Sequence, residues 1–260
     1  RTVSDPSSEW CLCCMTNSEF DPQIITINDS LFDDIYESET QNDVLKIIEE
    51  IKKTSGIKNI TYAMLSSIPQ QSKAPSILTT YNENWQEIYL SKGFLKDDPT
   101  VNRIFESALP FEWSKIVCRT PREQHVMDLS REYGVGESGL TIPLRGLRGE
   151  LGILTITGQN AFDPPLKSYY ARTFSQVGLY LHEWQARKAG LRSSQDIPRL
   201  SAREKDCLAL CAEGLMAQRI SERLGISEAA IRLYLSSART KLRSQTTCGA
   251  VAKAIRLGII

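Results

Sequence analysis

The sequence predicts an α+β protein in two parts. An N-terminal α-β-α sandwich on a mostly antiparallel sheet precedes a small all-α domain containing a helix-turn-helix. Three observations predict this. At 260 residues, the chain is long enough for two domains of roughly 100–200 residues each. Helical and strand periodicities alternate as far as Trp184, whereas only helical ones follow Leu200. Charge divides at the same place: 31 Lys and Arg balance 31 Asp and Glu overall, but Leu200 to Ile260 holds ten basic and five acidic residues. A small basic module on a larger acidic one points to the tail as the part that meets a polyanion.

Composition excludes other classes. No apolar run approaches the ~18 residues a membrane span needs, and residues 1–10 lack the apolar core of a signal peptide. Seven cysteines are an odd count and a small share of the chain, unlike a secreted disulfide framework. A cytoplasmic protein without a membrane partner is expected. Cys11, Cys13 and Cys14 invite a metal reading, but a structural zinc site usually takes four ligands, and neither His125 nor His182 lies near in sequence. They read as an ordinary reduced cluster, and neither metal nor cofactor is expected. Cys207 and Cys211, four apart beside Leu208, read as small buried hydrophobes.

In chain order, Val44, Leu45, Ile47, Ile48 and Ile51 place an apolar stripe on a helix over 42–53. Short strands follow at 60–65 and 77–80, then helices at 82–92, 99–108 and 122–133. Two β-rich runs, 139–144 and 150–157, flank Gly146 and Gly149, which suit a hairpin turn. Pro143 demands an edge or bulge position there. A long amphipathic helix over 165–187 closes the module. The predicted domains are 1–186, a linker at 187–199 rich in charge, Gly, Ser and Pro, and 200–260.

In the tail, Ser201 and Glu204 have capping-box spacing, and Gly214 suits a left-handed helix stop. A second helix covers 216–224, the turn Gly225-Ile226-Ser227 follows, and Ser227 is placed to cap a third helix over 228–242. Ile231, Leu235, Ala238 and Leu242 fall on its core side by 3–4 spacing, leaving Arg232, Ser236, Arg239 and Arg243 on other faces. Two short helices at a Gly turn, the second bearing exposed Arg and Ser, form a DNA-reading unit.

The run Leu200-Ser-Ala-Arg-Glu204, with Leu208, Gly214, Ile220-Ser-Glu-Arg-Leu224-Gly-Ile-Ser227, Ile231 and Lys241-Leu242, resembles the DNA-binding domain of the LuxR family. The front carries a second signature: Tyr81-x3-Trp85-x3-Tyr89-x8-Asp98-Pro99-x13-Trp113, followed by Gly139. Alone, Trp85 and Tyr89 read as core packing, and Asp98-Pro99 as a helix start. The joint spacing resembles the autoinducer-binding domain of LuxR-type quorum-sensing receptors, so the resemblance spans about residue 42 to the C-terminus.

That resemblance implies a transcription factor, not an enzyme, that binds an N-acyl homoserine lactone and regulates transcription on DNA. It implies that Trp113 and Trp85 frame the lactone, with the Trp85 indole donating to the ring carbonyl. Asp98 then accepts from the ligand amide, Tyr81 or Tyr89 donates to the acyl carbonyl, and Thr155 adds a hydroxyl. It further implies a homodimer on an approximately palindromic site, contacts with RNA polymerase, and DNA contacts from Ser227, Arg232, Ser236, Arg239 and Lys241. Tyr234, Ala230 and Ser236 depart from residues usual at those positions, so the operator does not transfer. Two other readings stay open: a LuxR-like regulator of another small molecule, and a response-regulator-type transcription factor. Against the latter, the hairpin-containing order is not that of a doubly wound module. An enzyme using Cys118 and His125 lacks a recognisable third member or oxyanion hole.

Overall fold

The computed structural model describes residues 30–65, 75–158, 164–192 and 198–260. The cluster of Cys11, Cys13 and Cys14 lies outside them. The first module holds α1 (Ser30–Glu37), α2 (Gln41–Ser55), β1 (Asn59–Leu65), β2 (Ser76–Thr79), α3 (Glu83–Ser91), α4 (Pro99–Arg103), β3 (Phe111–Glu112), α5 (Pro121–Glu132), β4 (Ser138–Arg145), β5 (Leu151–Gly158) and α6 (Pro164–Lys188). Its five strands form one sheet in the order β2-β1-β5-β4-β3, every pair antiparallel.

Strand alternation gives the sheet two different faces. Ile60, Tyr62, Leu140, Ile142, Leu144, Leu154 and Ile156 point into a dense core with Phe32 and Ile35 of α1, Ile48 and Ile51 of α2, and Phe174, Leu181 and Trp184 of α6. The intervening residues Ala63, Leu65 and Ile153 meet Val101 and Ile104 at and beyond α4 on the opposite side. There α3, α4 and α5 arch over the sheet.

Local chemistry explains the ends. Thr40 and Asp43 close a capping box on α2, which stops at Gly56 with φ 67°. Thr120 caps α5 and Pro121 starts it. The β4–β5 turn is the expected one, with Gly149 at φ 80° and a Gly146 N–H to Glu150 O bond of 2.8 Å. β3 pairs only with Leu140 and Thr141, so β4 has no partner strand on that side at Pro143.

Three features differ from the sequence reading. α1 and β3 were not anticipated, and α4 ends at Arg103 instead of 108. The stretch assigned to the start of a linker packs on the first module. α6 runs to Lys188, the Arg187 guanidinium lies 3.6 Å from the Tyr36 ring centroid, and Arg192 pairs with both Glu183 and the buried Glu150. Residues 193–197 lie outside the described set.

The second module is α7 (Ala202–Ala212), α8 (Ala217–Leu224), α9 (Glu228–Lys241) and α10 (Thr247–Arg256). Cys207, Leu208, Ile220, Ile231, Leu235, Ala238, Leu242, Ala250 and Ala254 form its core. The Ser201–Glu204 capping box is present, and Gly225 ends α8 at φ 66°.

Candidate ligand cavity and DNA-reading helix

A cavity of about 350 Å³ lies between the sheet and the α3–α5 arch. All six residues singled out for a ligand line it: Tyr81, Trp85, Tyr89, Asp98, Trp113 and Thr155. Trp85 and Tyr89 share α3, and the other four come from different segments. Asn82 caps α3 by accepting from the Trp85 N–H at 2.9 Å, and its amide donates to Tyr133 O at 2.7 Å. Gln86 reaches back to Tyr81 O at 2.6 Å. Trp85, 4% exposed, packs among Tyr89, Phe94 and Tyr133 with ring centroids 5.7–6.2 Å away.

Asp98 starts α4, as one of its two sequence readings has it, and also lines the cavity. It caps α4, its Oδ1 accepting from the Thr100 N–H (2.8 Å) and hydroxyl (2.7 Å), while Oδ2 accepts from Tyr89 Oη at 2.8 Å. Burial raises its pKa, opposed by those hydrogen bonds from Thr100 and Tyr89. Burial likewise raises the Tyr89 and Tyr81 hydroxyl pKa values, so both are protonated donors at neutral pH.

At the β4 side, the Trp113 indole N–H donates to Thr141 Oγ1 at 3.0 Å, and Thr141 Oγ1 lies 3.1 Å from Thr155 Oγ1. Gly139 makes that arrangement possible. A Cβ on it would sit 2.4 Å from the Trp113 ring. Val135, also on the wall, is held by Asn59 Nδ2 and Thr157 Oγ1, both 2.7 Å from its carbonyl.

Most of the lining was not singled out in the sequence. Thr61, Ala63, Leu65, Ile77 and Thr79 present one face of β1 and β2, and Met127 and Ser130 face in from α5. Their i, i+2 spacing in the strands marks a common face but does not separate a cavity from a packed core. Thr61 and Thr79 share a hydroxyl contact of 2.6 Å.

In the second module, the DNA-directed set divides. Ser227 caps α9 by accepting from the Ala230 N–H. Arg232, 73% exposed, forks onto Glu228 one turn earlier, at 2.6 and 3.2 Å. Ser236 and Arg239 line a concave surface with Thr240 and Arg243. Lys241 instead contacts both carboxylate oxygens of the buried Glu204 at 2.8 Å, tying α9 to α7. Burial would raise the Glu204 pKa, but hydrogen bonds from Lys241, Ser237 and the Ser201 N–H outweigh it and hold the pKa at about 2. Leu233, off the 3–4 core spacing and absent from that set, is 69% exposed.

Among the described residues, no cluster of three or more His, Cys, Asp or Glu is arranged to hold a metal ion, and no helix is long and apolar enough to cross a membrane. A largely apolar, polar-ended cavity in one module and a helix-turn-helix in the other define a ligand-responsive DNA-binding regulator. Comparison with known proteins gives the family. Residues 40–184 match the autoinducer binding domain, and residues 198–254 match the bacterial regulatory proteins of the luxR family. The chain belongs to the LuxR family and is a quorum-sensing transcription factor. It is 35% identical over 175 residues to the transcriptional activator protein RaiR of Rhizobium etli, covering 66% of this chain and 72% of that protein. With LuxR of Aliivibrio fischeri it shares 26% identity over 91% of this chain and 95% of that one. The crystal structure of Escherichia coli SdiA has the same fold, with TM-score 0.65 and 21% identity over 89% of this chain and 96% of that one.

Proposed function

We propose that the cavity holds an N-acyl homoserine lactone and that its occupancy governs DNA binding by the second module. One observation carries this reading: a carboxylate, two phenols and two indoles gather in an otherwise largely apolar cavity of about 350 Å³. An ionised carboxylate only accepts and an indole N–H only donates, so Asp98 suits the ligand's amide N–H and Trp85 its lactone carbonyl. Tyr89 has committed its proton to Asp98, which leaves Tyr81 as the donor to the acyl carbonyl. Trp113 has committed its N–H to Thr141, so it meets the ring with its π-face, and Thr155 stands nearby. The acyl chain lies along Ala63, Leu65, Ile77, Leu95 and Val101. Each buried methylene contributes about 0.8 kcal/mol before binding losses.

Ligand that completes this interior stabilises the first module by mass action, about 2.7 kcal/mol at a hundredfold excess over Kd. The expected domains 1–186 and 200–260 then stand with the first extended to Arg192, and the protein works as a homodimer through α6 and α10. Its two α9 helices address the halves of an approximate palindrome, with Ser227, Arg232, Ser236 and Arg239 toward DNA and RNA polymerase as a further partner. Lys241, held by Glu204, serves the fold. The decisive experiment is mass spectrometry of protein expressed with a mixed set of acyl homoserine lactones. A stoichiometric co-purified lactone supports the reading, and protein that stays empty across the set refutes it.

A further inference from the structure

We infer that Leu233 is a base-reading residue, recognising the 5-methyl group of a thymine in the major groove. The two sides of α9 differ in kind. Ile231, Leu235, Ala238 and Leu242 are buried along one side, and at 100° per residue the line opposite them runs through Ala229, Leu233, Ser236 and Thr240. One flank of that line carries Arg232, Arg239 and Arg243. The other carries Ser237 and Lys241, both bound to Glu204 of α7. The surface turned away from the core is therefore a narrow apolar-to-hydroxyl strip with guanidinium groups along one side.

Leu233 is the anomaly in it. Its side chain is 69% exposed, in the middle of the helix that otherwise places its large aliphatic residues inside. Leucine there contributes nothing to the module's core, so its packing partner must come from outside. In a helix-turn-helix, the N-terminal half of the second helix contacts base edges; Ala229, Arg232 and Leu233 lie in that half of α9, and Ser236 follows two residues beyond it. On the major-groove edges of the base pairs, thymine alone presents a methyl group. A branched aliphatic side chain cannot hydrogen-bond to a base. It can cover that methyl and exclude water from it, while Arg232, one residue earlier, donates to an adjacent guanine or phosphate.

The inference rests on α9 being the reading helix, and the test separates the two. Full-length protein, purified from cells supplied with a mixture of N-acyl homoserine lactones, is used to select duplexes from a random pool. Leu233→Ala and Arg232→Ala proteins are treated identically. The wild-type pool should show a fixed thymine in each half-site that becomes degenerate with Leu233→Ala. In the best wild-type duplex, replacing that thymine with deoxyuridine removes only the methyl. It should weaken wild-type binding roughly fourfold, the worth of one buried methyl group, and leave Leu233→Ala binding unchanged. If Leu233→Ala keeps the same thymine preference while Arg232→Ala alters binding, α9 reads DNA without Leu233 and the inference fails. If neither variant changes the selected sequence or its affinity, the assignment of α9 fails with it.

Discussion

Tyr89 donates its hydroxyl proton to Asp98 across 2.8 Å, so the carboxylate facing the cavity is already oriented before any ligand arrives. Thr100 secures the other oxygen from the start of α4. Asparagine at this position still caps the helix but points amide hydrogens at the ligand's own N–H. Asp98→Asn should therefore keep the apo melting temperature within a few degrees while lowering lactone affinity by about 10- to 100-fold, the worth of a charge-assisted bond. Ligand-induced thermal shifts measure both quantities, and undiminished shifts in the variant would remove Asp98 from the amide.

Gly139 tests the opposite wall. A methyl there would lie 2.4 Å from the Trp113 ring, so Gly139→Ala must displace the indole and break its bond to Thr141. Overpacking of this kind typically costs about 1–3 kcal/mol. The expected result is a less stable first module that responds weakly to ligand, read by denaturant unfolding with and without lactone.

These two sites show how far the sequence could be read. Trp85, Tyr89, Asp98 and Trp113 were legible because their joint spacing is a family signature. Thr61, Thr79, Met127 and Ser130 were not, since a residue facing a cavity and one facing a packed core share the same periodicity. The strands and long helices followed from alternation and 3–4 spacing. α1 escaped because eight residues with two buried apolar side chains, Phe32 and Ile35, give too little period to recognise. β3, at two residues, has no period at all. The expected helix beyond Arg103 stopped at Ile104, which turns inward to the sheet and is fully buried. Tertiary packing there outweighs local propensity.

Glu204 should make the DNA-binding module acid-sensitive. Its folded pKa of about 2 lies below its usual 4.5, so the stabilisation is complete above about pH 5 and is lost as pH falls from 4.5 towards 2. The total is about 3 kcal/mol, one pKa unit corresponding to about 1.4. Glu204→Gln should flatten that dependence and lower stability at pH 7, measured by urea melts between pH 2.5 and 7.

Glu228 holds the exposed guanidinium of Arg232, and on the proposed reading of α9 its negative charge stands beside the phosphates. Glu228→Gln should tighten DNA binding several-fold at low salt, steepen its salt dependence and narrow the gap between selected and random duplexes. Titrations at two salt concentrations would reveal this, and unchanged affinity would place Glu228 away from the duplex.

Arg192→Ala would leave Glu150 buried without its ion-pair partner, a loss typically worth about 3–5 kcal/mol, and chemical denaturation of the first module should register it.

The same pair of acids shortens the leash between reader and receiver. With Arg192 held by Glu150 and Glu183, the first module extends at least to Arg192, and six Cα steps from there to Pro198 can span no more than about 22 Å. Whatever its orientation, the helix-turn-helix therefore starts within that distance of Arg192, and losing the ion pairs would relax the limit.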